Sequence, residues 1–358
     1  MNIEVNMTVD YVKQNGTAEQ KAAAVYFDKN GNGIYEQDEA DTFSRSSIEK
    51  TDEALTITSA DGYVDTFENI ATRHDDEYYS SGTIPVAVID DYLGNLDNPG
   101  YCQHGTYVCN TIKSINPDIS ITKINNSERQ YWTPAQKFVN KVFETFPALG
   151  NLLCSNESTQ NMLDEFFCTD KYKFNASVKA FEELNNQIEN GAGYKAVNLS
   201  SACACEYSEI NELVAEELGV AITPDNIAEY KSEIKEILRQ KSDEQGKDGT
   251  FISQILTQID LLENTEIPVY MGGSYTSEDG EDTFNLLALA DNALIVEGGV
   301  EYGNDIIFDE DIPHSSLALD ENGERRIEDS RLYDGKELLK TSTSFATPMA
   351  LAKAFPEE

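Results

Sequence analysis

The chain has 358 residues, of which 65 are acidic and 26 basic, for a formal net charge of −39. That balance argues against binding a nucleic-acid backbone, which takes clustered Lys and Arg, and it suits solubility, high salt or divalent cations. A 40% apolar and 25% charged composition fits a soluble globular protein. No run of about eighteen apolar residues is present to span a membrane, and the length suffices for one large α/β domain and a small one.

The opening MNIEVNMTVDYVK has neither a basic n-region nor an apolar h-region. No signal peptide is expected, and the cytoplasm is the default location, with export by another route left open. Residues 1–80 read as a small helical unit, because TAEQKAAAVYF and DTFSRSSIEKTDEAL have helical composition and spacing. Between them, DKNGNGIYEQDE matches the calcium-loop pattern D-x-[DN]-x-[DN]-G-x5-E. Asp28, Asn30 and Asn32 offer side-chain oxygens and Gly33 permits the sharp turn. Ile34 gives its carbonyl, Glu36 acts through water, and Glu39 binds in bidentate fashion. The loop resembles an EF-hand for Ca2+. ITSADGYVDTFE reads as a degenerate partner hand, with Ser59, Asp61, Gly62, Asp65 and Glu68 at the equivalent places but Ile57 at the first.

After a linker at Ser80–Thr83 the character changes. IPVAVID from Ile84 is an apolar run ending in an acid, the pattern of a buried parallel strand. DISITKI, KAVNLS, IPVYM and ALIVEGG are further strand candidates, and TYVCNTIKSI, FNASVKAFEELNNQI and TFISQILTQIDLL are helical. This alternation predicts an α/β domain over residues 84–358, with a mostly parallel sheet flanked by helices. Stretches 127–172 and 206–248 read as amphipathic helical insertions. The 6 cysteines permit disulfides without requiring them in a chain of this size, and Cys102, His104 and Cys109 lack the paired spacing of a zinc site.

Three stretches carry chemistry when taken together: VAVIDD ending at Asp90 and Asp91, HGTYV beginning at His104, and TSTSFATP containing Ser344. A serine hydroxyl needs a base to take its proton, and histidine titrates in the right range. A buried carboxylate fixes the imidazole tautomer and stabilises its cation. At a helix N-terminus, the serine's own N–H can face a developing oxyanion. Asp91 alternates to the opposite side of an extended strand, which favours Asp90 as the partner.

In this order the three motifs resemble the subtilisin-like serine proteases over residues 84–358. The resemblance implies a subtilisin-like fold and a serine endopeptidase acting on protein or peptide substrates, with Asp90 as the triad acid, His104 as the general base and Ser344 as the nucleophile. AVNLSSA resembles the family's N-x-S-x-G strand, which implies substrate binding by Ser200, Ser201 and Ala202 through strand addition. The sequence departs from the family where its oxyanion asparagine would stand. IPVYMGGSYT holds Tyr275 there or, shifted by one, Ser274, and Ser342 and Ala202 replace family glycines. The alternative is a catalytically impaired relative that binds calcium or peptides. The acidic surface disfavours acidic substrates; specificity and oligomeric state are not legible.

Overall fold

A computed structural model describes residues 47–58, 64–72, 74–92, 104–146, 159, 162–163, 166, 169–200, 203–244, 251–273, 282–302, 305–308, 314–335, 338–340 and 343–355. The calcium-loop residues Asp28, Asn30, Asn32, Ile34, Glu36 and Glu39 lie outside them.

The first described element corrects the helical reading of residues 47–68. β1 (Ser47–Lys50), β2 (Ala54–Thr58) and β3 (Val64–Glu68) form an antiparallel sheet in the order β1-β2-β3. β2 and β3 pair from Ala54↔Glu68 to Thr58↔Val64. Ile57–Thr58 and Val64–Glu68 thus lie on paired antiparallel strands rather than on helices flanking a loop, which overturns the assignment of 57–68 as a partner EF-hand. Two local signals outweigh helical composition. LTIT and VDTF alternate with β-branched and aromatic residues, and VDTFE alternates exposed and half-buried. Thr51 makes the turn, its Oγ1 accepting from the N–H groups of Glu53 and Ala54 at 3.2 and 3.0 Å.

The larger sheet is parallel through six strands. β4 (Ile84–Asp90), β5 (Ile119–Asn125), β6 (Ala196–Leu199), β8 (Val269–Gly272) and β10 (Ala293–Tyr302) lie in the order β10-β8-β6-β4-β5. β12 (Ile327–Asp329) pairs parallel with β10, and β11 (Asp305–Phe308) adds one antiparallel edge. Between β6 and β8 in sequence, the short β7 (Ala204–Glu206) pairs instead with β9 (Thr283–Asn285). The five apolar runs named from sequence are five of its strands. Inner strands such as β4 and β6 are buried on both faces and read as continuous, whereas β5 closes the sheet at one edge and alternates between buried and more exposed residues. From β4 the chain crosses to β5 on one side and then returns to β6 on the other. That reversal opens a crevice at the carboxyl ends of β4, β5 and β6.

Helices cover both faces. Along the strands, Val86, Val88 and Ala196 pack with α2 (His104–Ile115) and α8 (Thr343–Lys353). Ala87, Ile89, Val197 and Leu199 point the other way. They meet α4 (Thr169–Glu189), α5 (Tyr207–Leu218), α6 (Lys231–Glu244) and α7 (Phe251–Glu263). Two of these, α5 and α6, are the segment read as a helical insertion, and Ile210, Val214 and Ile234 bury them in the core rather than leaving them at its margin. The short α1 (Asp76–Ser80) and α3 (Pro134–Thr145) complete the described helices of more than one turn. α3 is closed by a Thr133–Gln136 capping box with Pro134 at its first turn.

The β1–β3 sheet is tied to the rest of the chain by β13 (Arg331–Tyr333), which pairs with β14 (Leu338–Lys340). Arg331 is buried, with Nη2 donating to Asp65 at 2.9 Å and to Asp329 at 2.6 Å. Its guanidinium lies 4.7 Å from the Phe67 ring centroid.

Candidate active site

β4 delivers Asp90 to the crevice. Every side chain from Val86 to Asp90 is buried, so the strand holds its terminal carboxylate rigidly, at 2% exposure. Asp90 Oδ1 accepts the Asp91 N–H at 2.7 Å and sits 2.7 Å from His104 Nδ1. Its other oxygen, Oδ2, is buried with no hydrogen-bond partner among the described residues. His104 is the first residue of α2, and the next turn is anchored by Gly105 N–H donating to Asp91 O at 3.0 Å. Gly105 is required by close approach: a Cβ there would lie 2.6 Å from the Tyr92 ring.

Burial is the largest influence on His104 and lowers its pKa. The charge of Asp90, its hydrogen bond and the charge of Asp91 outweigh that, so His104 titrates above an ordinary histidine. With Nδ1 engaged by Asp90, Nε2 is the ring nitrogen left to act as a base.

Ser344 enters from the opposite end of the chain, as the second residue of α8. Its Oγ donates to Ser200 O, just past β6, at 3.2 Å. The neighbouring Phe345 ring lies 5.2 Å from that of His104, so the H-G-T-x-V and T-S-F-A-T-P motifs meet in space. The helix can start here because Gly272 ends β8 without a side chain: a Cβ on it would fall 2.8 Å from Thr343 Oγ1. Pro348 lies in the second turn of α8. Its missing N–H is the one that would have bonded the Ser344 carbonyl.

Asp90, His104, Ser200 and Ser344 line one cleft of about 770 Å³. Its described lining also includes Asp91 and Glu128, with Phe174, Phe181, Phe251, Ile255 and Leu287 from α4, α7 and the segment after β9. Asp91 thus reaches the cleft despite the strand alternation that turns it away from Asp90. No Lys or Arg is among the described lining residues.

No family model matches the chain. No curated protein matches it. A solved structure, described as the crystal structure of MycP1 from the ESX-1 type VII secretion system, is similar at 9% sequence identity, with a TM-score of 0.35. The similarity covers 77% of this chain and 69% of that one. A likeness this slight transfers no residue role.

Of the other residues named from sequence, Ser201, Ala202, Ser274 and Tyr275 lie outside the described residues. Cys109 is buried on α2, where desolvation pushes its thiol up to about 12, so it is no thiolate nucleophile. Among the described residues no group of three or more His, Cys, Asp or Glu could hold a metal, and no helix is long and apolar enough to cross a membrane. The aromatic lining of the cleft was not foreseen. Phe174, Phe181 and Phe251 sit on helices whose apolar positions read only as core.

Proposed function

We propose that the chain is a subtilisin-like serine endopeptidase. The observation that carries this is the convergence of the Asp90–His104 hydrogen bond and Ser344 in one cleft at the carboxyl ends of the parallel strands. In the proposed reaction His104 Nε2 takes the Ser344 hydroxyl proton as Oγ attacks the scissile carbonyl carbon. The Ser344 N–H belongs to the first turn of α8, whose donors have no intrahelical acceptor, and it faces the oxyanion. Asp90 stabilises the imidazolium, which returns its proton to the departing amine. Water, deprotonated in turn by His104, then hydrolyses the acyl-enzyme. Asp91 and Glu128 in the cleft lining disfavour acidic peptides, while the aromatic residues that line it accept an apolar side chain.

A fluorophosphonate tests this directly. It labels the wild type and not Ser344→Ala; equal or absent labelling of both, with no difference in peptide cleavage, refutes the proposal. The second reading, a peptide-binding relative without turnover, is favoured by Tyr275 and Ser342 standing where the resembled family has asparagine and glycine. It predicts that Tyr275→Asn creates activity where the wild type has none.

Calcium belongs to the proposal through the spacing of Asp28, Asn30, Asn32 and Glu39 alone. Binding to the folded state only would raise the melting temperature by linkage. Calcium then raises Tm in the wild type and much less in Glu39→Gln; no shift in the wild type removes calcium from the proposal.

A further inference from the structure

We propose that Asn198 is a positioning residue for the nucleophile, acting through Ser200; this rests on the serine-peptidase reading above. β6 is Ala196-Val197-Asn198-Leu199, and all four side chains are buried. An amide in the middle of an apolar strand costs stability unless its polar atoms are bonded. Asn198 uses only one of them. Nδ2 donates to Ser200 Oγ at 2.8 Å, while Oδ1 is buried with no partner among the described residues. Stability therefore does not account for it, because an aliphatic side chain of similar size would leave nothing unsatisfied.

Its place in the sheet supplies the reason. Alternation puts Asn198 on the same face as Ala196, which packs in the cluster under α2 and α8. Those helices carry His104 and Ser344. Ser200, two residues on, has its hydroxyl held by Asn198 and its carbonyl accepting from Ser344 Oγ. Fixing the Ser200 side chain fixes the rotation of the chain as it leaves the strand, and hence the direction of the carbonyl that holds the nucleophile at the cleft. Asn198 touches neither substrate nor reacting atoms in this scheme.

The experiment is the rate of fluorophosphonate labelling of the full chain across pH. Asn198→Ala labels about tenfold more slowly than wild type, the worth of one buried hydrogen bond. Its pH midpoint is unchanged, because the Asp90–His104 pair is untouched. Ser200→Ala removes the other end of the same bond and keeps the inference testable if Asn198→Ala does not fold. It shows the same loss, the double variant is no slower than either single one, and Ser200→Thr restores most of the rate. Wild-type labelling in Asn198→Ala or Ser200→Ala, additive losses, or a shifted midpoint each overturn the inference while leaving the peptidase reading intact. An unlabelled wild type overturns both.

Discussion

Two buried carboxylates on the same sheet are treated in opposite ways. Glu297 on β10 is 0% exposed and saturated. Its Oε1 accepts the Ser315 N–H at 2.6 Å, and Arg325 Nη1 reaches Oε1 and Oε2 at 3.2 and 3.1 Å. Asp90 on β4 is equally sheltered, but among the described residues both its bonds fall on Oδ1 and its Oδ2 has none. The first carboxylate lies beside the permanent cation of Arg325, with His314 Nδ1 as a further neighbour at 3.4 Å, and pins the segment from His314 to Arg325 onto the sheet. The second has only the His104 imidazole as an ion-pair partner among the described residues. A buried acid beside a permanent cation suits a structural joint; one paired only with a titratable ring is the arrangement the proposed peptidase reading needs.

The largest expected effect separates the two directly. Asp90→Asn keeps the shape of the site and lowers peptide cleavage by about 10⁴-fold through loss of the correct tautomer, with little change in the urea midpoint. A comparable loss of cleavage in Glu297→Gln would erase the distinction. Next, Glu297→Ala removes the carboxylate partner of Arg325 and costs about 3 kcal/mol in urea unfolding, the low end for a broken buried pair because the Arg325 side chain is 27% exposed and keeps its bond to Ser315 O. At temperatures where it remains folded, its cleavage rate stays near wild type.

The smallest effect is in pH. His104 titrates above 6.5, so labelling of Ser344 rises as pH climbs through a midpoint above that value. In Asp90→Asn the opposing burial prevails, and the His104 midpoint, followed by NMR of the ring proton, falls relative to wild type. A midpoint that stays in place would show that Asp90 does not govern the base. The same shift has a sign in stability. A raised folded-state pKa contributes stability that is full below the unfolded value and is lost as pH rises through the folded one. The ring is 39% exposed, so solvent screens that contribution.

The sheet was legible because a strand buried on both faces must be apolar throughout. IPVAVID, KAVNLS and ALIVEGG could be recognised as strands one at a time. The candidate triad was legible because Asp90, His104 and Ser344 each sit at the end of an element, where local sequence marks the boundary. Residues 47–55 were misread because the composition of DTFSRSSIEKTDEAL suits a helix, and 57–68 because its acids and hydroxyls fit a calcium loop, although the alternation of LTIT and VDTF was a local signal for strands. Pairing such as Thr56 with Thr66, at 3.3 Å between hydroxyl oxygens, is what the strands share. Local sequence thus determined the strands, the helix starts and the order of the chemical groups, all of which depend on neighbours within a few residues. Tertiary structure alone decided that β4 lies between β5 and β6, that Ser344 reaches Ser200 across 144 positions, and that Asn198 lies beneath both helices. Those are contacts between segments far apart in the chain, and the physics that selects them is the burial of the whole sheet at once.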